Sequence, residues 1–410
     1  MKIRSITTLL NPGWPLDEGL IERTGVFNSA ARAAFAAAGY EVQTTRLATI
    51  PFPQLVPHPA DAVAFAQALE RAALAHGWQY VSIGPALPAN LGHYAILPEV
   101  FAATENVFAA GVIADAAGVS LPAVRAAAEV MHRAARLDAN GFGNLYFAAL
   151  ANVPPGGPFF PAAYHDGGAP AFAIACEAAD LAVDAFGAAN SLAEARQNLI
   201  EAMESHAAKL TATAQSLITN YQLRFSGIDF TLAPFPEESR SIGTALERLG
   251  LPALGLHGSL AAAAFLVDTI DRAQYPKVGF NGLMLPVLED WTLARRAAEG
   301  HLTVIDLLLY SAVCGTGLDT IPLPGDTTPH QLAAVLLDLA ALSARLGKPL
   351  TARLMPVPGK QAGEMTTFDF PFFANSRVLG LKAEEVGGLF AGEEGMLEFR
   401  AISALREMGG

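Results

Sequence analysis

The sequence predicts an α/β protein, and three observations support that fold class. Short apolar segments with the pattern of strands are followed, several times along the chain, by longer segments with helical spacing. Hydrophobic residues fill 52% of the 410 positions and charged residues 16%, which is enough apolar material for a large core. No low-complexity linker and no fixed-period repeat interrupts the alternation. We therefore expect residues 1–410 to form one large domain.

The first elements alternate regularly. Residues 2–10 have the pattern of a strand, and residues 16–39 have a helical pattern that stops at a glycine, a common C-terminal cap. A second strand is predicted at 40–52, a second helix at 60–77 and a third strand at 80–87. This succession of strand, helix and strand is typical of an α/β sheet.

The rest of the chain continues the alternation with longer helices. Residues 96–139 are alanine-rich and are predicted to be largely helical. Apolar residues at three- and four-residue steps predict one long helix over 192–221. Further strands are predicted at 143–153, 159–167, 223–235, 280–290 and 350–360.

Charge and hydropathy exclude two classes of partner. The net charge is −13 and no run rich in lysine and arginine occurs, so we expect no nucleic-acid partner. No uncharged run reaches the length of a membrane span. The apolar stretch 171–186, for example, carries Glu177, Asp180 and Asp184 at helical spacing. We therefore expect no membrane partner.

The cysteine count and the composition predict a compartment and an assembly. Two cysteines, Cys176 and Cys314, cannot form a disulfide framework and are typical of a reducing compartment. No secretory signal is apparent at the start of the sequence. We therefore predict a cytoplasmic location. An acidic chain with this much apolar sequence is expected to bury part of it between subunits, and a homodimer is the commonest assembly.

Polar residues after predicted strands are the first candidates for a site, because the loops at the carboxyl ends of strands usually build it in this class. Asp229 lies inside a strand of alternating apolar residues, so it is buried and paired or it faces a cavity. Glu289 ends a predicted strand, and His165 precedes an Asp-Gly-Gly turn. We predict that Asp229 and Glu289 handle protons or metal and that His165 is a further catalytic residue.

A glycine-rich segment around residues 255–259 is a candidate ligand-binding loop. His257, Gly258 and Ser259 stand where a helix is predicted to begin, and free N–H groups at a helix start attract carboxylate or phosphate. Asn281, beside a predicted strand, is a fourth candidate ligand-binding residue. The alternative for this loop is an ordinary glycine turn.

Acidic residues offer a candidate cation site. Asp319 and Asp326, together with Asp229 and Glu289, would suit a hard cation such as Mg²⁺, which prefers a few carboxylates and water. The sequence has no CxxC pair, HExxH motif or calcium-loop pattern. The alternative for Asp326, and equally for Asp290, is to cap the helix that follows.

Cys314 stands between a hydrophobic run and a turn that contains three glycines. One interpretation is a reactive nucleophile presented on a tight loop, and the other is a small residue that lines a cavity. A nearby cation or helix start would lower the pKa of the thiol, whereas an apolar setting would raise it.

Several stretches along the chain together resemble an uncharacterised family. They are MKIRSIT, FFPAAYH, GIDFTLAPFPEESRSIGTALE, GLHGSLAAAAFL, GLMLPVLED, CGTGLDTIPLPGDTTP and MPVPGK. On these motifs, which extend to about Lys360, the chain resembles the family of domain of unknown function 711, also called uncharacterised protein family 0210. The resemblance implies the barrel of the pyruvate formate-lyase and ribonucleotide reductase group, with ten strands ringed by helices and residues 365–410 packed on the barrel as a C-terminal extension.

The same resemblance introduces radical chemistry as an alternative. In that group a cysteine on a loop inside the barrel becomes a thiyl radical, and glycyl-radical members store the radical in a C-terminal Arg-Val-x-Gly-Tyr motif. This chain has Cys314 and the segment RVLGL with Gly380, but Leu381 stands where the motif has an aromatic residue. We therefore predict that Cys314 lies at the barrel interior and that Gly380 is not a radical site.

Together these features favour a cytoplasmic enzyme that acts on a small polar or acidic metabolite in a barrel cavity, through carboxylates and with Cys314 as nucleophile or cavity wall. One alternative is a ligand-binding regulatory protein without catalysis. Others are a structural subunit with a filled barrel and a glycyl-radical enzyme. An enzyme should place two or more titratable groups around one point of its cavity.

Overall fold

The structure is a computed structural model that describes residues 1–313, 315–391 and 395–402. Its strands are β1 (Lys2–Leu9), β2 (Val42–Ala48), β3 (Tyr80–Ala86), β4 (Val107–Asp115), β5 (Gly118–Ser120), β6 (Phe147–Ala151), β7 (Ala171–Glu177), β8 (Arg224–Ala233), β9 (Gly317–Pro324), β10 (Leu350–Val357) and β11 (Met396–Leu397). Its α-helices are α1 (Glu18–Ala37), α2 (Phe52–Leu55), α3 (Ala62–Ala75), α4 (Leu91–Ala95), α5 (Leu97–Ala103), α6 (Leu121–Ala134), α7 (Ala179–Gly187), α8 (Leu192–Tyr221), α9 (Ile242–Arg248), α10 (Ser259–Arg272), α11 (Trp291–Ala298), α12 (Val304–Ser311) and α13 (Pro329–Leu346).

The strands form one mixed sheet in the order β8-β7-β1-β2-β3-β4-β6-β10-β9, and β5 joins β4 to β11. Strands β1, β2, β3, β4 and β6 are parallel to one another. On one side the pair β7–β8 runs antiparallel to β1, and on the other the pair β10–β9 runs antiparallel to β6. The predicted α/β class is confirmed, with one large sheet and surrounding helices.

A segment without regular secondary structure contacts both edge strands of this sheet. The N–H of Ile228, in β8, donates to the carbonyl of Pro276 at 2.8 Å, and the N–H of Val278 donates back to Ile228 at 3.2 Å. At the other end of the segment, the N–H of Val287 donates to the carbonyl of Asp319, in β9, at 3.2 Å. Residues 276–287 therefore hydrogen-bond to β8 and to β9.

The main hydrophobic core lies between one face of the sheet and the helices. Ile3 and Ile6 of β1 pack there with Phe27 and Phe35 of α1, and all four side chains are buried. Helix α1 begins where the Asp17 carboxylate accepts the N–H of Leu20 at 2.9 Å, as an N-cap. None of the helices in the described parts of the chain is long and apolar enough to cross a membrane.

Some predicted elements differ from the structure for identifiable reasons. The long helix was predicted at the bounds of α8, but residues 96–139 also contain β4 and β5. The predicted strand 159–167 is irregular; Pro161 has no N–H to donate to a ladder. Residues 171–186, which carry acidic residues at helical spacing, form β7 and α7, and the run AFAIAC in β7 is buried on both faces of the sheet.

Candidate functional site

A cavity of about 610 Å³ lies against the face of the sheet opposite α1. Charged residues of β1, β2, β9 and β10 line it, and each comes from a strand in which its neighbours are apolar or uncharged. In β1, Lys2 and Arg4 line the cavity, whereas Ile3 belongs to the core under the helices. Successive side chains of a strand point to opposite faces, so the pattern KIR places two cations on the cavity side.

The charged groups of the cavity form a linear chain of ion pairs. Arg353 binds Asp319 at 2.6 Å and Glu289 at 2.7 Å. Arg4 then binds Glu289 at 2.9 Å and Glu177 at 3.2 Å, and Arg240 binds Glu177 at 2.8 Å. The chain joins β1, β7, β9 and β10 through side chains. Because the guanidinium groups alternate with carboxylates, each buried carboxylate has a counter-ion, which burial of a charge requires.

The pKa of the Asp319 carboxyl, in this chain of ion pairs, is shifted. Burial raises the pKa of its carboxyl above the ordinary value; the neighbouring Arg353 opposes the rise, and the charge of Glu289 adds to it. Both carboxylates bind the same guanidinium, Asp319 at the Nε of Arg353 and Glu289 at a terminal nitrogen. Asp319 and Glu289 are thus two titratable groups around one point of the cavity.

Arg46 is a buried cation of the cavity that has no carboxylate within ion-pair distance among the described residues. Its side chain lies on β2 with 9% of the residue exposed, and its Nε donates to the Thr44 hydroxyl at 2.9 Å. The guanidinium carbon stands 5.1 Å from the ring centre of Phe160 and 5.7 Å from that of Tyr80. Burial and the charge of the nearby Arg4 lower the pKa of Arg46 to about 9, while Tyr80 and Glu289 oppose the fall. The group stays charged at neutral pH.

The terminal nitrogens of Arg46 are open to the cavity. Among the residues that the structure describes, no Asp or Glu carboxylate lies within ion-pair distance of them. By contrast, Arg4, Arg240 and Arg353 each have a carboxylate partner. A buried guanidinium whose terminal N–H groups are free is suited to bind a carboxylate or phosphate, whose oxygens accept two hydrogen bonds side by side.

Asp229, a predicted site residue, is buried and hydrogen-bonds one loop to β8. Its Oδ2 accepts the N–H of Phe280 at 2.8 Å, and its Oδ1 accepts the N–H of Asn281 at 2.9 Å and the Thr231 hydroxyl. Burial raises the pKa of Asp229 to about 6, and these hydrogen bonds oppose the rise. Asn281 continues the contact: its Oδ1 accepts the N–H of Phe230 at 3.0 Å. Neither Asp229 nor Asn281 lines the cavity.

We expect Asp229→Asn to lower the free energy of unfolding by about 2 kcal/mol. The asparagine replaces one accepting oxygen by an NH2 group, which is a donor and cannot bind the backbone N–H that it faces. Urea unfolding at neutral pH measures the change. Asp268→Asn is the control, because Asp268 is exposed in helix α10. Equal stability of Asp229→Asn and the control would contradict the anchoring role.

The predicted histidines lie away from the cavity. His165 is buried, with its Nε2 3.0 Å from the Gly168 carbonyl and its Nδ1 3.3 Å from the Asp166 carboxylate. His257 and Gly258 are exposed at the start of α10. Ser259 is buried there and accepts the N–H of Gly255 at 3.0 Å, so the hydroxyl holds its own turn. The structure does not bring these residues together with Glu289.

The predicted cation ligands Asp319 and Asp326 are also separate. Seven residues of mostly extended chain place them roughly 20 Å apart, more than one ion can span. Asp326 lines a surface cleft of about 370 Å³, and Thr328, not Asp326, caps α13. Asp290 does act as a cap, since its Oδ1 accepts the N–H of Leu293 at 2.9 Å. Within the described ranges no group of three or more His, Cys, Asp or Glu is arranged to hold a metal ion.

The two residues of the radical hypothesis are Cys314 and Gly380. Cys314 lies outside the described residues. Gly380 is exposed and lines the same surface cleft as Asp326. An exposed position differs from the enclosed setting that a stored radical needs.

The sequence reasoning missed the arginines and the aromatic residues of the cavity. Arg46 stands in QTTRLAT and Arg353 in LTARLMP, each a charge inside an otherwise uncharged strand segment. The same signal singled out Asp229, and applied to basic residues it would have found both. Residues 368–373 of the C-terminal extension also reach the cavity, where Phe370, Phe372 and Phe373 form part of its wall.

Comparison with known proteins finds relatives along most of the chain. The model of a family described as "Uncharacterised ACR (DUF711)" matches residues 1–375. A UPF0210 protein of Pyrobaculum aerophilum is 35% identical over 266 residues, which cover 60% of this chain and 56% of that relative. UPF0210 proteins of Pyrobaculum arsenaticum and Actinobacillus succinogenes are 33% and 31% identical, over 82% and 80% of this chain and 78% and 77% of theirs.

Proposed function

The chain belongs to the uncharacterised DUF711 family, and we propose that it is an enzyme whose cavity binds a small organic anion and transfers a proton to or from it. The cavity has the size of a small-molecule site. Five of its charged residues, among them Arg46, Asp319 and Arg353, lie in four strands of one sheet, which hold them more rigidly than loops would.

The observation that carries the proposal is the guanidinium of Arg46, for which the described part of the chain supplies no carboxylate within ion-pair distance. Burying a cation without a counter-ion costs several kcal/mol in a medium of low polarity, and a bound anion removes that cost. The other arginines of the cavity are already neutralised by Glu177, Glu289 and Asp319. An incoming carboxylate or phosphate is therefore expected to bind at Arg46.

The carboxylates Asp319 and Glu289 support the catalytic part of the proposal. A raised pKa lets Asp319 hold a proton at a pH at which an ordinary aspartate has lost it, as a general acid or base requires. Arg353 orients both carboxylates, so we assign it a positioning role. A regulatory protein without catalysis would need Arg46 but not the proton of Asp319.

The fold supports a closed ten-stranded barrel as part of the proposal. Residues 276–287 hydrogen-bond to both β8 and β9, and such a segment would act as the tenth strand of a ring whose other nine are the continuous path from β8 to β9. The cysteine content and the apolar composition support two further parts, a cytoplasmic location and a homodimer.

We expect Arg46→Gln to weaken binding of phosphate monoesters and carboxylates by about 10- to 100-fold, the value of a charge-assisted hydrogen bond. The probes are methyl phosphate, phenyl phosphate, acetate and benzoate, and ligand-detected NMR titration gives their dissociation constants. Arg46→Lys keeps the charge but loses the fork-shaped pair of donors. Its dissociation constants should lie between those of the wild-type protein and those of Arg46→Gln.

Arg295→Gln is the matched control. It removes the same charge from a side chain that is 63% exposed in α11 and should change each dissociation constant less than twofold. The proposal fails if Arg46→Gln and Arg295→Gln bind the four probes equally well.

A further inference from the structure

The walls of the cavity are unusually rich in aromatic rings. One group includes Phe160 and Tyr80, the two rings beside the guanidinium of Arg46. Phe108 lies 5.4 Å from each of these rings and 5.0 Å from Tyr146, measured between ring centres. All three contacts are tilted or edge-to-face, the geometry that aromatic pairs prefer. The proposed anion-binding end of the cavity thus has aromatic walls.

A second group of rings comes from the C-terminal extension. Phe370 lies 5.3 Å from Phe142, in the turn before β6, and 5.4 Å from Phe372. Phe372 in turn contacts Phe235, after β8, at 5.9 Å. Phe372 is 42% exposed, so this wall lies where the cavity meets solvent.

A site for a small polar anion such as phosphate would need none of these rings. Apolar walls around one charged group suit a ligand with a charged end and an apolar body. On the proposed function, on which this inference rests, we infer that the ligand is an organic anion that carries an aromatic ring. Its carboxylate or phosphate binds Arg46. Its ring packs against the cavity walls that contain Phe108 and Phe372.

The test compares pairs of probes that differ only in the ring. Phenyl phosphate should bind the wild-type protein at least about tenfold more tightly than methyl phosphate, and benzoate more tightly than acetate, because the ring buries apolar area. Whichever of phenyl phosphate and benzoate binds more tightly shows whether the site prefers a phosphate or a carboxylate head group. A gain below twofold for both pairs overturns the inference, even if all four probes depend on Arg46.

A variant of the exposed wall locates the ring. Phe372→Ala should remove most of the gain for phenyl phosphate and leave methyl phosphate within about twofold. Phe390→Ala is the matched control, since Phe390 is 46% exposed and does not line the cavity. Equal binding of phenyl phosphate by the two variants would overturn the placement of the ring. Because Phe372 is partly exposed, its replacement should not prevent folding.

Discussion

Replacing Arg353 by methionine should lower the free energy of unfolding at neutral pH by about 3–5 kcal/mol. Arg353 is the only guanidinium within ion-pair distance of Asp319 among the residues that the structure describes, and both side chains are nearly buried. Its loss leaves the Asp319 carboxylate without a counter-ion in a setting of low polarity. Glu289 still has Arg4 as its counter-ion, so the loss of stability comes mainly from the uncompensated charge of Asp319. Urea unfolding followed by the fluorescence of the buried Trp78 measures the change.

The same variant should become less destabilised in acid. Without Arg353 the folded-state pKa of Asp319 rises further above its value in the unfolded chain. A group with a raised folded-state pKa contributes stability at low pH and loses that contribution as the pH rises through the folded-state pKa. The deficit of Arg353→Met should therefore be largest above neutral pH and smaller at about pH 5.

Two further proteins isolate the ion pair as the cause. The double variant Arg353→Met with Asp319→Asn has no uncompensated charge and should recover more than half of the lost stability. Arg295→Met, which breaks a surface pair with Glu299, should cost less than about 1 kcal/mol. If the double variant is no more stable than Arg353→Met, the loss comes from packing and the ion-pair chain is not needed for stability.

The sequence predicts the parts of the fold that depend on residues close to one another along the chain. The long helix α8 begins at its Ser191 cap, where the hydroxyl accepts the N–H of Glu194, and its apolar stripe keeps helical spacing to its end. Strand β1 follows in the same way from its own alternation. In β4 the pattern failed, because small alanines that suit a helix also fill a strand buried beneath helices.

The site depends on contacts between distant parts of the chain, which a single sequence does not reveal. The sequence singled out Glu289 at the end of a predicted strand and Asp319 as a candidate cation ligand, and the structure brings both to Arg353. Asp229 carries the same signal of a charge inside a strand, yet its partners are backbone groups of residues 280–281. Whether such a charge faces a cavity or a loop depends on what packs against it, and for Asp229 that is a segment some 50 residues away.

Asp319→Asn should abolish catalysis and preserve binding. The asparagine keeps an oxygen for the Nε of Arg353 and has nearly the same size, but its side chain cannot ionise to act as an acid or base. Loss of a general acid or base typically costs at least about 100-fold in rate. Phenylpyruvate in D₂O is the first probe, with NMR reporting deuterium exchange next to the ketone, and hydrolysis of phenyl phosphate is the second. The wild-type protein should accelerate at least one of these reactions.

The pH profile and a matched variant decide whether Asp319 itself is responsible. The wild-type rate should depend on an ionisation whose pKa lies above that of an ordinary aspartate, and the variant should lack this dependence. Asp268→Asn removes a carboxylate that is 47% exposed on α10 and should leave rate and profile unchanged. If the wild-type protein binds both probes through Arg46 but accelerates neither reaction, the cavity is a ligand-binding site without catalysis. In that case the burial of Asp319 beside Arg353 serves only to hold β9 against β10.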